Sequence, residues 1–168
     1  YYQEQVVVGD PLAEDTTLGP LVSADQLKRV QDYIEIGQEE GAEILIGGHP
    51  LERPGYYFEP TDFVAVDNAM RIAQEEIFGP VLCVLTYQDL AQAIAIANDS
   101  IYGLSGGVVG PADQALEVAY QLQTGNIFVN DGPRSPKAPF GGYKQSGLGR
   151  ENGKYGLEDY LQLKAIFL

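Results

Sequence analysis

Apolar positions along the chain switch between a helical and a strand period. Leu27, Val30 and Ile34 follow Ser23-Ala24-Asp25-Gln26 at helical spacing. That tetrad has the form of a capping box, with Ser23 accepting from the third amide and Gln26 reaching back, and Gly41 supplies a left-handed stop. Glu43–Ile46 reads as a short strand closed by Gly47-Gly48. Residues 49–60 are dense in proline, glycine and tyrosine, and Arg53-Pro54-Gly55 predicts a surface excursion. Strand character returns over Thr61–Val66. Met70, Ile72 and Ala73 form a short apolar turn, Gly79-Pro80 halts any helix, and the unbroken apolar run Val81–Leu85 predicts a buried strand.

The second half repeats the alternation. Asp89 and Gln92 renew the capping logic ahead of Leu90, Ala93, Ile94 and Ala97, and that helix stops in Asn98-Asp99-Ser100. Leu104–Val109 is a glycine-thinned strand. Pro111–Leu122 is a helix with Ala115, Val118, Ala119 and Leu122 inward, and Asn126–Val129 is a further strand. Residues 131–153 are too rich in proline and glycine for a regular element and suit a winding loop at strand ends. Over Tyr160–Leu168 the pattern alternates, with Leu161, Leu163, Ala165 and Phe167 on one side, which predicts a terminal strand in need of a neighbour that a second chain could provide. Strand and helix in alternation at these lengths predict an α/β fold built on a parallel sheet. No internal repeat or linker divides the chain.

Composition narrows the function classes. With 168 residues, 45% hydrophobic and 20% charged, the chain is long enough to bury a core without staples. Its 24 acidic against 10 basic residues, net −14, repel phosphate backbones and anionic lipid, so neither nucleic acid nor membrane is expected as a partner. No apolar run approaches the ~18 residues of a spanning helix. One cysteine and no secretory signal predict a reducing, cytoplasmic location. Val6-Val7-Val8 is too short to classify and ends in the turn Gly9-Asp10-Pro11-Leu12. The opening run Tyr1–Val8, with no initiator methionine, predicts that the chain begins inside an element of a longer protein.

The candidate chemistry gathers in Gln74-Glu75-Glu76-Ile77-Phe78-Gly79-Pro80-Val81, which places two carboxylates and an aromatic on a loop at a strand mouth. Two readings stand: a ligand loop, or a solvated corner. Other motifs yield less. Gly147-Leu148-Gly149-Arg150-Glu151-Asn152 has Asn152 where a dinucleotide fingerprint needs its third glycine. Gly142–Gly147 has phosphate-loop spacing, but Leu148 and Gly149 replace the Lys and Ser/Thr. Cys83, mid-strand, reads as a buried structural thiol, and His49, alone, as a solvated loop side chain; no metal site is expected.

Six pieces nevertheless occur in an order that resembles the C-terminal portion of the aldehyde dehydrogenase superfamily. They are Gly9-Asp10-Pro11-Leu12, Leu18-Gly19-Pro20-Leu21, Glu75–Val81, Asn98–Leu104, Gly125–Asn130 and Pro139–Gly147. The resemblance implies oxidation of an aldehyde with NAD or NADP: a cysteine thiolate attacks the carbonyl, hydride passes to nicotinamide, and a glutamate activates the water that hydrolyses the thioester. Nucleophile, base and dinucleotide-binding fold would all lie N-terminal to Gly9, so no catalytic residue is expected in this chain. Residues 1–158 would be the C-terminal part of the catalytic domain, and 159–168 an intersubunit strand of a homodimer or homotetramer.

The resemblance also assigns site residues. Glu76 would accept hydrogen bonds from the nicotinamide ribose hydroxyls, and Phe78 would pack beside the nicotinamide. Gln26 and Arg29 would meet the other end of the cofactor. Asn130, Ser135 and Phe140 would line the aldehyde tunnel, whose centre is unusually charged here; Arg134 and Lys137 would face either a polar aldehyde or water. Two alternatives remain open: a non-catalytic member that binds cofactor or a partner, and a relative that passes its thioester to coenzyme A, as a CoA-acylating semialdehyde dehydrogenase does.

Overall fold

The computed structural model describes residues 5–168, so the first half of the opening run Tyr1–Val8 lies outside the described residues. The chain divides into two units, one ending at Thr86 and the other spanning Tyr87–Leu168, a division absent from the sequence reading with its boundary at 158/159.

The first unit is organised on helix α1, Ala24–Glu39. Ser23 caps it as predicted, its hydroxyl accepting from the Gln26 amide at 3.1 Å. Its end is a full Schellman arrangement: Gly41, at φ +98°, donates to Gln38 and Ala42 donates to Gly37. β1 (Glu43–Ile46) pairs antiparallel with β2 (Thr61–Val64), and β2 pairs parallel with β3 (Val81–Cys83). The short helix α2 (Arg71–Gln74) lies between β2 and β3 in sequence. Val30, Tyr33 and Ile34 of α1 pack with Phe63, Ile72, Ile77, Ala42 and Phe58 into one core.

The excursion over 49–60 is not only surface: it folds back on itself through the Pro50–Phe58 bridge and delivers Tyr57 and Phe58, both buried, to the interior. The strand at Val81–Leu85 is shorter and less buried than its apolar run predicts. Its Val81 and Cys83 face the core, while Leu82 and Val84 remain 49% and 40% exposed. A run apolar at every position suits a strand covered on both faces, and the described residues cover only one.

In the second unit, α3 (Leu90–Asn98) is capped by Asp89, which accepts from the Gln92 amide at 2.8 Å. β4 (Ser105–Val108) and β5 (Asn126–Val129) pair in parallel around α4 (Ala112–Ala119), a strand–helix–strand unit as predicted. Ala115 and Ala119 are buried and Val118 and Leu122 half-buried, as the helical pattern requires. Within residues 131–153 the chain is irregular apart from a 3-10 turn at Lys144–Ser146, and α5 (Gly153–Glu158) follows. Residues 161–168 join no ladder among the described residues, and Leu163, Phe167 and Leu168 are fully or nearly fully exposed.

Candidate functional site

The loop between α2 and β3 is held from below by one stripe of α1. Gln26 and Arg29, then Tyr33, stand at helical spacings of three and four. Gln26 Nε2 donates to the carbonyls of Ile77 at 2.9 Å and Phe78 at 2.8 Å. Arg29 Nη2 donates to the Glu76 carbonyl at 2.7 Å. The Tyr33 hydroxyl donates to Glu75 Oε2 at 2.6 Å, and Arg71 grips the same carboxylate through Nε at 3.2 Å and Nη2 at 3.0 Å. Arg71, first, and Tyr33 hold the Glu75 carboxyl below its ordinary range; the same hydrogen bond pushes the Tyr33 phenol up.

The two neighbouring glutamates therefore do different things. Glu75 is a structural carboxylate. Glu76 is exposed, and its carboxylate has no hydrogen bond or ion pair among the described residues. Phe78 is 71% exposed, on a backbone at φ +57°, a left-handed conformation that costs a non-glycine residue about 1 kcal/mol. Gly79 follows because a Cβ there would collide with the buried Val30 side chain. Phe78 lines two shallow depressions, about 450 Å³ with Leu18, Pro20 and Phe58, and about 260 Å³ with Ile72, Ile77 and Cys83. The loop sits at the N-terminal edge of the β2–β3 pair, where Thr61 N donates to Pro80 O at 2.8 Å. That is opposite to the carboxyl edge where doubly wound sheets commonly bind ligands.

Gln26 departs from the capping box. Its amide does not return to its own N-terminus but crosses to the loop, a use invisible to the local spacing. Cys83 fits the expected structural thiol: it is half-buried, its Sγ donates to Ile72 O at 3.3 Å, and burial raises its pKa. His49 is exposed, and no metal-ligand cluster occurs among the described residues.

In the second unit a cleft of about 740 Å³ is lined by β5 and the loop after it, and Ser135 and Phe140 both contribute to its wall. Ile127, Phe128, Val129 and Pro139 make much of that wall apolar, and Arg134, its guanidinium 5.2 Å from the Phe128 ring centre, is the one charged side chain lining it among the described residues. Asn130 is not in the lining. Its side-chain amide exchanges two 3.0 Å hydrogen bonds with Gly110, which braces the left-handed pair Asn130-Asp131 at the head of the loop. Phe140 is fixed by reciprocal bonds with Glu151 at 2.8 and 2.7 Å. Lys144 Nζ donates to Asn98 O at 2.6 Å and Ser100 O at 2.9 Å, and Ser146 Oγ accepts from Gly103 N at 2.9 Å. The segments Asn98–Leu104 and Pro139–Gly147, two of those that carry the resemblance, are thus joined to each other.

Known proteins resemble the chain over nearly its whole length. The family model described as the aldehyde dehydrogenase family matches residues 2–166. A curated relative from Staphylococcus aureus (strain USA300) that carries an aldehyde dehydrogenase name is 52% identical over 96% of this chain, which spans 35% of that relative's length. Aldehyde dehydrogenase C from Pseudomonas syringae, crystallised with NAD+ and octanal, superposes with a TM-score of 0.93 at 47% identity, covering 98% of this chain and 35% of that one. An aldehyde dehydrogenase from Mycobacterium tuberculosis in complex with NAD+ gives a TM-score of 0.91 at 45% identity, covering 96% and 34%. The chain belongs to the aldehyde dehydrogenase family, and its fold is a part of the α/β fold of those enzymes.

Proposed function

We propose that the full-length protein carrying this chain oxidises an aldehyde to the carboxylic acid with NAD or NADP, and that the loop at Glu76–Phe78 holds the nicotinamide end of the cofactor. One observation carries the reading. The loop's backbone and Glu75 are tied down by α1, while the Glu76 carboxylate and the Phe78 ring are left facing outward without partners. An acceptor-only carboxylate suits a pair of ribose hydroxyls, and a fixed aromatic beside it suits a flat ring. When bound, the nicotinamide supplies the hydride acceptor. Glu76 accepts from the sugar, Phe78 restricts the ring's swing, and the fixed backbone beneath them preserves the alignment that hydride transfer requires. Similar proteins crystallised with NAD+ support a nicotinamide dinucleotide as the cofactor.

The cleft along β5 takes the aldehyde, with Ser135 and Phe140 on its wall and Asn130 bracing its loop. Nucleophile and general base come from polypeptide outside this chain; Cys83, tucked under Ile72, is not the nucleophile. The protein works in the cytoplasm as a homodimer or homotetramer, and residues 160–168 pair as a strand with a partner subunit.

The test is an assay of the full-length protein with octanal and NAD+. One NADH and one octanoic acid should form per turnover, and the isolated 168-residue chain should form neither. No NADH from the full-length protein, or octanoyl-CoA in place of the acid when coenzyme A is added, would overturn the proposal.

A further inference from the structure

We infer that Gln26 and Arg29 are positioning residues, which act through the backbone of residues 76–78 to set where the Glu76 carboxylate and the Phe78 ring point. The inference rests on the reading of that loop as the nicotinamide clamp, but its structural half can be tested without cofactor.

The helix and the loop run in opposite senses. Going up α1, Gln26 meets Phe78 and Ile77, Arg29 meets Glu76, and Tyr33 meets Glu75. Each loop residue from 75 to 78 is therefore held by a side chain of one helix, itself closed at both ends by its caps and anchored through the fully buried Val30. Groups borne on a rigid helix place a site more accurately than a free loop does.

The bonds also account for the unusual backbone. In an extended run successive carbonyls point to opposite sides. The left-handed turn at Phe78, φ +57°, lets the oxygens of Ile77 and Phe78 converge on one amide nitrogen, whose two hydrogens serve one carbonyl each. Gln26 thus stabilises a conformation that an aromatic residue does not favour, and that conformation projects the ring outward. None of these contacts involves the Glu76 carboxylate, so the helix fixes the loop without occupying its acceptor.

Two measurements on the full-length protein test this. The first is a thermal-stability cycle without cofactor. Gln26→Leu should lower Tm, and should lower it less when Phe78→Gly has removed the left-handed strain; equal losses in both backgrounds overturn the inference, whatever the loop binds. The second is calorimetric titration with NAD+ and with ADP, which lacks the nicotinamide ribose. Gln26→Leu and Arg29→Leu should each weaken NAD+ about tenfold, as expected for loss of the charge-assisted bonds that depend on loop placement, and leave ADP unchanged. Arg29→Lys, which keeps a donor, should recover most of that loss.

On a Glu76→Gln, Phe78→Ala background, which removes both groups the loop presents, neither leucine variant should weaken NAD+ further. Weakened ADP binding, or additive losses on that background, would show a direct contact with the cofactor and overturn the inference. A coupled stability cycle together with NAD+ binding indifferent to Glu76→Gln would uphold the positioning of the loop and reject the clamp.

Discussion

The two units solve the same packing problem differently. In the first, eight side chains from helix, strands and loops close into one buried cluster around Phe63 and Val30. In the second, the buried apolar side chains are two alanines, Ala115 and Ala119, and α3 buries none of its residues. Order there comes from hydrogen-bonded junctions between loops, such as Lys144 with Asn98 and Ser100, and Phe140 with Glu151. Val109, Leu148, Leu163 and Phe167 meanwhile stand in the open. The lesson is that the loop carrying Glu76 and Phe78 is built on a core the chain supplies itself, whereas the cleft along β5 is built on loop geometry. Apolar surface on the scale of the second unit's calls for a covering surface.

The comparison can be broken most sharply in the core. Phe63→Ala should destabilise the 168-residue chain by about 3–5 kcal/mol, because the ring is fully buried against α1, whereas Leu163→Ala, at a fully exposed position, should stay within about 0.5 kcal/mol. Urea unfolding of both variants checks this, and comparable losses would erase the distinction between the units. Gly79→Ala comes next. Its Cβ has no room beside Val30, so overpacking should cost about 1–3 kcal/mol in the same measurement and should shift the loop that carries Phe78.

The smallest effect is electrostatic. Tyr33→Phe should cost about 1 kcal/mol at neutral pH, a value reduced by solvent because the Glu75 carboxylate is 43% exposed. The folded state depresses the Glu75 pKa, so this contribution is full above the ordinary carboxylate pKa and is lost as pH falls through the depressed one. The difference in urea midpoint between wild type and Tyr33→Phe should therefore shrink below the carboxylate range and hold steady through neutrality.

Much of this was legible from the residues alone. Ser23, Asp89 and Gly41 act by local rules, and their caps fall where the spacing puts them. Strands β4 and β5 and the helix between them follow from periodicity. What could not be read was long-range: Gln26 looks like a capping residue until a loop 51 residues away is brought to it. Phe58 looks like loop until the chain folds back, and Glu75 and Glu76 are indistinguishable until Arg71 and Tyr33 claim one of them. The Val81–Leu85 run misleads because an unbroken apolar run reads as covered on both faces, whereas Leu82 and Val84 are exposed among the described residues.

The central claim is that Glu76, and not Glu75, steadies the cofactor for hydride transfer. Single-turnover NADH formation by the full-length protein, at saturating NAD+ and octanal, tests it directly. Glu76→Gln should slow that step by about 10- to 100-fold with the aldehyde KM within about twofold of wild type, because the substitution disturbs alignment and leaves the cleft along β5 untouched. An unchanged single-turnover rate, or a loss confined to aldehyde KM, would contradict it.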